Sequence, residues 1–169
     1  SAARELFLER GFDGATLREI AARAGMGASS IYRHFESKEE LLIDELAELQ
    51  ERAWEKFRKQ DDRTRATRVR LTEFLDCQHS LLAEQRDFSM IALRATTLPQ
   101  AAVARRVLTL YDRAIGLIAE ILQNGRMRGD LRKDLDLFAA ARTIFHVTVS
   151  ARIPWANGLI DADSCRKSI

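Results

Sequence analysis

Cysteine and proline are scarce in this chain, two of each in 169 residues, and glycine occurs only eight times. Cys77 and Cys165 stand far apart and form no Cys-x-x-Cys pair, so both are read as reduced thiols. No apolar run approaches the roughly 20 residues of a membrane-spanning helix. Ala2 to Arg10 alternates charges instead of following the basic-then-apolar layout of an export signal, so the expected compartment is the cytoplasm, with no membrane partner. Strand-like alternation and internal repeats are also missing. Neither sign of charge dominates: 27 Lys and Arg stand against 25 Asp and Glu. Residues 1–46 are acidic, with six basic and nine acidic side chains. Bulk charge is therefore neutral evidence on nucleic-acid binding. The length leaves room for one sizeable core, or for a small domain beside a larger one.

What is present is a strong local pattern between Thr16 and Phe35. Thr16 followed by Glu19 is a capping box, and Leu17, Ile20, Ala21 and Ala24 then recur at helical spacing. Gly25 falls where a helix end favours a left-handed residue, and Met26 folds back on the preceding turn. A second helix is expected over residues 28–35, with Ile31 and Phe35 inward. Ala28, Ser29, Ser30, Tyr32, Arg33 and His34 then occupy its outer face or N-terminal end. Small and hydroxyl residues with an aromatic and cationic rim suit a major groove, which makes this a helix-turn-helix pattern. Arg18, Arg23 and Arg33 face Glu19 alone here, while Glu39, Glu40, Asp44, Glu45 and Glu48 gather on the next helix.

The flanking residues extend the pattern. Ala3-Arg-Glu-Leu-Phe7 with Gly11-Phe12, then Glu19-Ile-Ala and Ala24-Gly25, then Ile31-Tyr-x-His-Phe35-x-Ser-Lys38-Glu-x-Leu41-Leu, resemble the N-terminal domain of the TetR/AcrR family of bacterial transcriptional regulators. The resemblance covers roughly the first 46 residues. It implies an N-terminal three-helix bundle (1–46) that reads DNA and a helical effector-binding and dimerisation domain (47–169). Position matching to the family makes Arg18, Ala28, Ser29 and Ser30 candidates for base or groove contact. Thr16, Tyr32, His34 and Lys38 match positions that touch phosphates or brace the helix, and Arg33 fits either role. His34 fits equally as an edge residue holding two helices together. Gly27 stands where the family often has a capping Ser, so the second helix is expected to be capped less firmly. Ser1 falls inside the family's first helix.

Periodicity beyond the head predicts further helices and an all-α fold. Ser37 and Glu40 form a second capping box, opening a helix over about residues 38–58 with Leu42, Leu46, Leu49, Ala53 and Phe57 on one side. Residues 59–64 read as a turn. A stripe of Leu71, Phe74, Leu75, Gln78, Leu81 and Leu82 follows, then a short helix over 88–95 that stops near Leu98-Pro99. Pro99 is placed to start a long helix carrying Val103, Val107, Leu110, Tyr111, Ala114, Leu117, Ile118 and Ile121 up to Gly125. Another is expected over 134–152, with Phe138, Ala141, Arg142, Phe145 and Val149 on its stripe and a stop at Pro154. Asp161 to Ser164 opens a last helix.

Catalytic groupings are sparse. Cys77 and His79 are two residues apart, so on a helix they point about 200° apart and do not share a metal. Glu39 and Glu40 suit a helix N-terminus, and no glycine-rich phosphate loop occurs. No active site, cofactor or metal is expected. Ligand sensing is the second activity considered. Phe74, Cys77, Gln78, Leu81, Phe88, Met90, Arg94, Tyr111, Arg142, Phe145 and His146 mix apolar and polar types on predicted inward faces. Ordinary packing explains any one of them as well. Arg142 and His146, four apart, fit an anionic ligand or an internal salt bridge. The resulting expectation is a homodimer joined through its C-terminal helices, bound to an inverted-repeat duplex operator and released by a small-molecule effector. A helical adaptor and a metabolite-binding protein with an unused DNA head are the rival classes.

Overall fold

The computed structural model describes residues 1–97 and 103–169, Thr97 by its backbone alone. These residues form nine helices and no strand. The helices are α1 (Ala2–Gly14), α2 (Leu17–Arg23), α3 (Ala28–Tyr32), α4 (Lys38–Gln60), α5 (Thr67–Glu84), α6 (Arg86–Thr97), α7 (Ala104–Arg128), α8 (Leu137–Ala156) and α9 (Ala162–Ser168). The all-α expectation is met. Side chains of Ser1, Thr16, Ser37, Asp136 and Asp161 each accept a hydrogen bond from the first turn of the helix that follows. Like α8 with Gly158 (φ 73°), α2 and α7 end on a left-handed glycine, Gly25 (φ 68°) and Gly129 (φ 84°). At both ends the last carbonyls are satisfied by a six-to-one bond, Met26 N–H to Ala21 O at 2.8 Å and Asp130 N–H to Gly125 O at 2.9 Å.

Helix α4 organises the molecule. Its 23 residues span about 35 Å at 1.5 Å each. Leu42, Leu46 and Leu49 join Leu6, Phe7, Ile20 and Ile31 of the first three helices in one buried cluster. That cluster continues into Phe88, Ala92, Val107, Leu110 and Trp155, so the head packs on the body without a break in the core. One to two turns further on, Trp54 and Phe57 enter a second cluster with Phe74, Ile118, Ile121 and Phe145. Trp54 meets Phe74 edge-on at 5.3 Å between ring centres, a favoured aromatic geometry.

Several boundaries differ from expectation for identifiable reasons. Helix α3 stops at Tyr32 rather than Phe35; backbone bonds from Arg33, His34 and Phe35 to Ser30 and Ile31 finish it as a tight turn. Helix α7 runs through Gly125 and ends at Gly129, because Gly125 is a packing residue. Helix α8 starts at Leu137, since Asp136 supplies the cap, and continues past Pro154 to Ala156. Trp155, wholly buried, holds that last turn against the core, and Leu159 N–H closes onto Pro154 O at 2.9 Å. Phe138, expected on the inward stripe, is 64% exposed. The expected stop at Leu98-Pro99 lies outside the described residues.

Gly125 explains how α5 and α7 approach. A Cβ there would sit 1.9 Å from Thr67 Oγ1 and 2.9 Å from Thr67 Cβ. Thr67 has no room to give, because its N–H and hydroxyl both donate to the Asp130 carboxylate, at 3.0 and 2.9 Å. We expect Gly125→Ala to lower the unfolding free energy by about 1–3 kcal/mol, the usual range for overpacking, read from urea denaturation.

Candidate nucleic-acid interface and ligand cavity

The turn that presents α3 is built by local chemistry. Thr16 Oγ1 accepts from Glu19 N–H at 3.3 Å, and Glu19 Oε2 accepts from Thr16 N–H at 3.1 Å, so the expected capping box is complete. The carboxyl of Glu19 is lowered by hydrogen bonding from Thr16, with Arg10 adding to it. Helix α3 has no side-chain cap at Gly27, as expected, and only five residues, too few to stand alone. Tertiary contacts hold it. Ile31 is buried under it, and Arg106 of α7 donates to His34 O at 3.3 Å while its guanidinium lies 5.6 Å from the centre of the Phe35 ring. Arg106 also pairs with Glu40 and Asp44 of α4, tying the end of the turn to the body.

Charges in the head divide into engaged and free ones. Arg23 pairs with Glu9, Arg10 with Glu19, and Arg4 lies buried between Glu45 and Glu48. Arg18 and Arg33 are exposed and make no ion pair among the described residues; Arg33 reaches only its neighbour Ser30, at 3.5 Å. Ala28, Ser29 and His34 are exposed, Ser30 is half-buried, and Tyr32 is 54% exposed. Lys38 has a different role. Its ammonium donates to Phe12 O at 2.8 Å and Asp13 O at 3.1 Å and lies 4.7 Å from the centre of the Phe12 ring, so it clamps the end of α1 onto α4. The second capping box forms by half: Ser37 caps Glu40 N–H, but the Glu40 carboxylate turns to Glu36 N–H and Arg106.

A cavity of about 40 Å³ lies between α4, α5, α6, α7 and α8. Of the candidate ligand residues, Gln78, Tyr111 and Phe145 line it. Phe74 is wholly buried beside Trp54 and Phe57, and Cys77 accepts from Gln60. Phe88 lies under Arg4, and Arg94 donates to Ala156 O at 2.8 Å. Leu81 and Met90 are half-buried and do not line the cavity; Arg142 and His146 are exposed on the outer face of α8. Sequence reasoning missed Gln50, Thr148 and Arg152, which supply the cavity with polar groups. The signal was a buried stripe at positions 141, 145, 148, 152 and 155 of α8 that carries an arginine. Among the described residues no three His, Cys, Asp or Glu side chains gather as a metal site, and no helix is long and apolar enough to cross a membrane.

Comparison with known proteins decides between the classes this geometry allows. Residues 1–44 match the family model of bacterial regulatory proteins of the tetR family. The whole chain superposes on a Thermus thermophilus FadR, a TetR-family transcriptional repressor solved with lauroyl-CoA. The TM-score is 0.81 at 27% identity, over 99% of this chain and 87% of that one. Over its length the chain is similar to regulators of the TetR family. It is also 28% identical to the transcriptional repressor KstR2 of Mycolicibacterium smegmatis, over 95% of this chain and 80% of that protein. It is 27% identical to the fatty acid metabolism regulator protein of Bacillus subtilis, over 85% and 74%. These TetR-family relatives are transcriptional regulators, not enzymes.

The joint between head and body has a pH signature. The Glu40 carboxyl is held below its ordinary range, first by the Glu36 N–H and then by Arg106. A lowered folded-state value means the contribution is present above the ordinary Glu range and is lost as pH falls through the folded value. In urea unfolding from about pH 5 to pH 3, Glu40→Gln is expected to lose less stability than the wild-type protein.

Proposed function

We propose that the chain is a homodimeric, sequence-specific repressor that reads an inverted-repeat operator and leaves it when a small molecule binds at the cavity between α4, α5, α6, α7 and α8. The observation that carries the DNA reading is the outer surface of the helix-turn-helix. Arg18 and Arg33 have no internal counter-charge among the described residues, and Ala28, Ser29 and Tyr32 are exposed beside them. Ala28 and the Ser29 carbon suit a thymine methyl, while Arg18 suits a guanine edge and Tyr32, His34 and Thr16 suit phosphates. Lys38 acts by bracing. In this reading residues 1–46 are the reading head and 47–169 the effector and dimerisation part, and the protein works in the cytoplasm on chromosomal DNA.

The dimer is assigned to α8. Phe138, Val147 and Ile153 are exposed on it at 64, 58 and 39%, with Leu159 at 77% beyond its end. Helix α9 contributes less apolar surface than expected, because Ala162, Cys165 and Ile169 already pack inward. A two-fold pairing of α8 faces places two heads on one duplex, and few phosphate contacts per head make affinity depend on dimerisation and salt. The lauroyl-CoA held by the Thermus repressor supports an effector with an apolar chain. Such a ligand lowers DNA affinity only to the extent that it prefers a body conformation in which the heads are wrongly spaced.

Selection of duplexes from a random pool tests this. The wild-type chain is expected to enrich an inverted repeat, and a Ser30→Ala/Tyr32→Ala variant to enrich none while remaining dimeric by light scattering. Val147→Glu is expected to shift the chain toward monomer and weaken binding to the selected duplex by more than tenfold. No enrichment by a folded dimer would assign the protein to ligand binding without DNA reading.

A further inference from the structure

We propose that the cavity binds a carboxylic acid with an apolar body, its carboxylate on Arg152. This rests on reading the cavity as the effector site and adds the chemistry of the ligand's polar end. The chain supplies counter-charges to its other buried arginines. Arg70 holds Asp61 through two 2.7 Å bonds, and Arg4 pairs with Glu45 and Glu48. Arg152 is the exception. It is 7% exposed and lines the cavity, yet no acidic side chain pairs with it among the described residues. Among the described residues one long bond, 3.4 Å from Nη2 to Gln78 Oε1, engages its guanidinium, and its Nε has no partner.

The groups nearest in charge do not supply an anion. His79 of α5 is pushed toward its neutral form, first by burial, and the Cys165 thiol of α9 is raised by burial. Burial alone draws the Arg152 guanidinium down to about 10, which leaves it charged at neutral pH. A buried cation of this kind is costly unless an anion and good hydrogen bonds meet it. The planar guanidinium fork fits a carboxylate through two parallel bonds. A single lining cation does not match a phosphate dianion. Of the rest of the wall, Leu46, Leu49, Leu75, Ile118 and Phe145 are apolar, and its other polar side chains are uncharged. Gln50, whose Oε1 is buried without a partner, stands with Leu110 between this cavity and an open cleft along α4 and α7. At about 40 Å³ the cavity takes only the acid's polar end, so the apolar chain continues past Gln50 and Leu110 into the cleft.

Calorimetric titration of the full chain with laurate, 1-dodecanol and lauroyl-CoA tests the assignment, with Arg152→Met as the variant. The wild-type protein is expected to bind laurate at least about tenfold more tightly than dodecanol, a charge-assisted hydrogen-bond difference. Arg152→Met should bind the two alike, with dodecanol affinity kept within about twofold, and melt no lower than wild type without ligand, because it removes an unpaired buried charge. Equal wild-type binding of laurate and dodecanol overturns the proposal. So does a variant that melts several degrees lower and loses both ligands together. Lauroyl-CoA binding both proteins equally, and more tightly than laurate, overturns the acid and leaves the cavity as effector site. Failure of all three ligands to bind the wild-type protein removes that site as well.

Discussion

One helix belongs to two cores, and most of the molecule's behaviour follows from that constraint. The first three turns of α4 are buried by the head and by α6, α7 and Trp155; its later turns are buried against α5, α7 and α8. A helix packed this way does not bend freely, since interiors are dense and shift between discrete packings. Displacement of the body around Gln50 or Ala53 is therefore carried along the axis to Leu42. Two arginines fix the joint from either side, Arg4 to Glu45 and Glu48, Arg106 to Glu40 and Asp44.

The same constraint explains how a five-residue helix is held firmly enough for the reading role proposed for it. Alone, α3 is far below the length at which helices persist in water. It is held by the capped α2 with its left-handed Gly25 on one side and by Ile31 beneath. The Arg106 guanidinium on the carbonyl of His34 holds its other end. That last bond joins α7, which also lines the cavity through Leu110, Tyr111 and Ile118, directly to the reading turn. In the proposed function, ligand and DNA thus bear on two ends of a short chain of packed and paired groups. Coupling between them requires only that the two packings differ in their affinity for each.

Features set by neighbouring residues were legible in the sequence. The capping box at Thr16 and Glu19, the left-handed Gly25, the uncapped Gly27 and the buried stripe of α4 all appear where local spacing put them. Competing local signals were harder to rank. Gly125 looked like the stop that Gly129 provides, and only the contact with Thr67 makes it a packing position. Asp134 looked like the start that Asp136 provides, and Pro154 looked like an end, although the buried Trp155 holds the next turn. The cavity was the least legible part. Gln78, Tyr111 and Phe145 meet there, but their partners Gln50, Thr148 and Arg152 lie on helices whose rotation is set by long-range packing. Arg142 and His146 fell on the opposite side of α8 for the same reason.

The central claim is that two such heads act together on one duplex, at a spacing the body sets. Pulsed electron spin resonance between labels at exposed Ala22→Cys measures it directly, since Cys77 and Cys165 are buried and need not be removed. The account predicts one narrow inter-subunit distance on the selected duplex, matching reading helices about one turn of DNA (roughly 34–36 Å) or a multiple of it apart. It also predicts a broader or shifted distribution in the free protein. No inter-subunit distance, or one that the duplex leaves unchanged and far from that spacing, would contradict it.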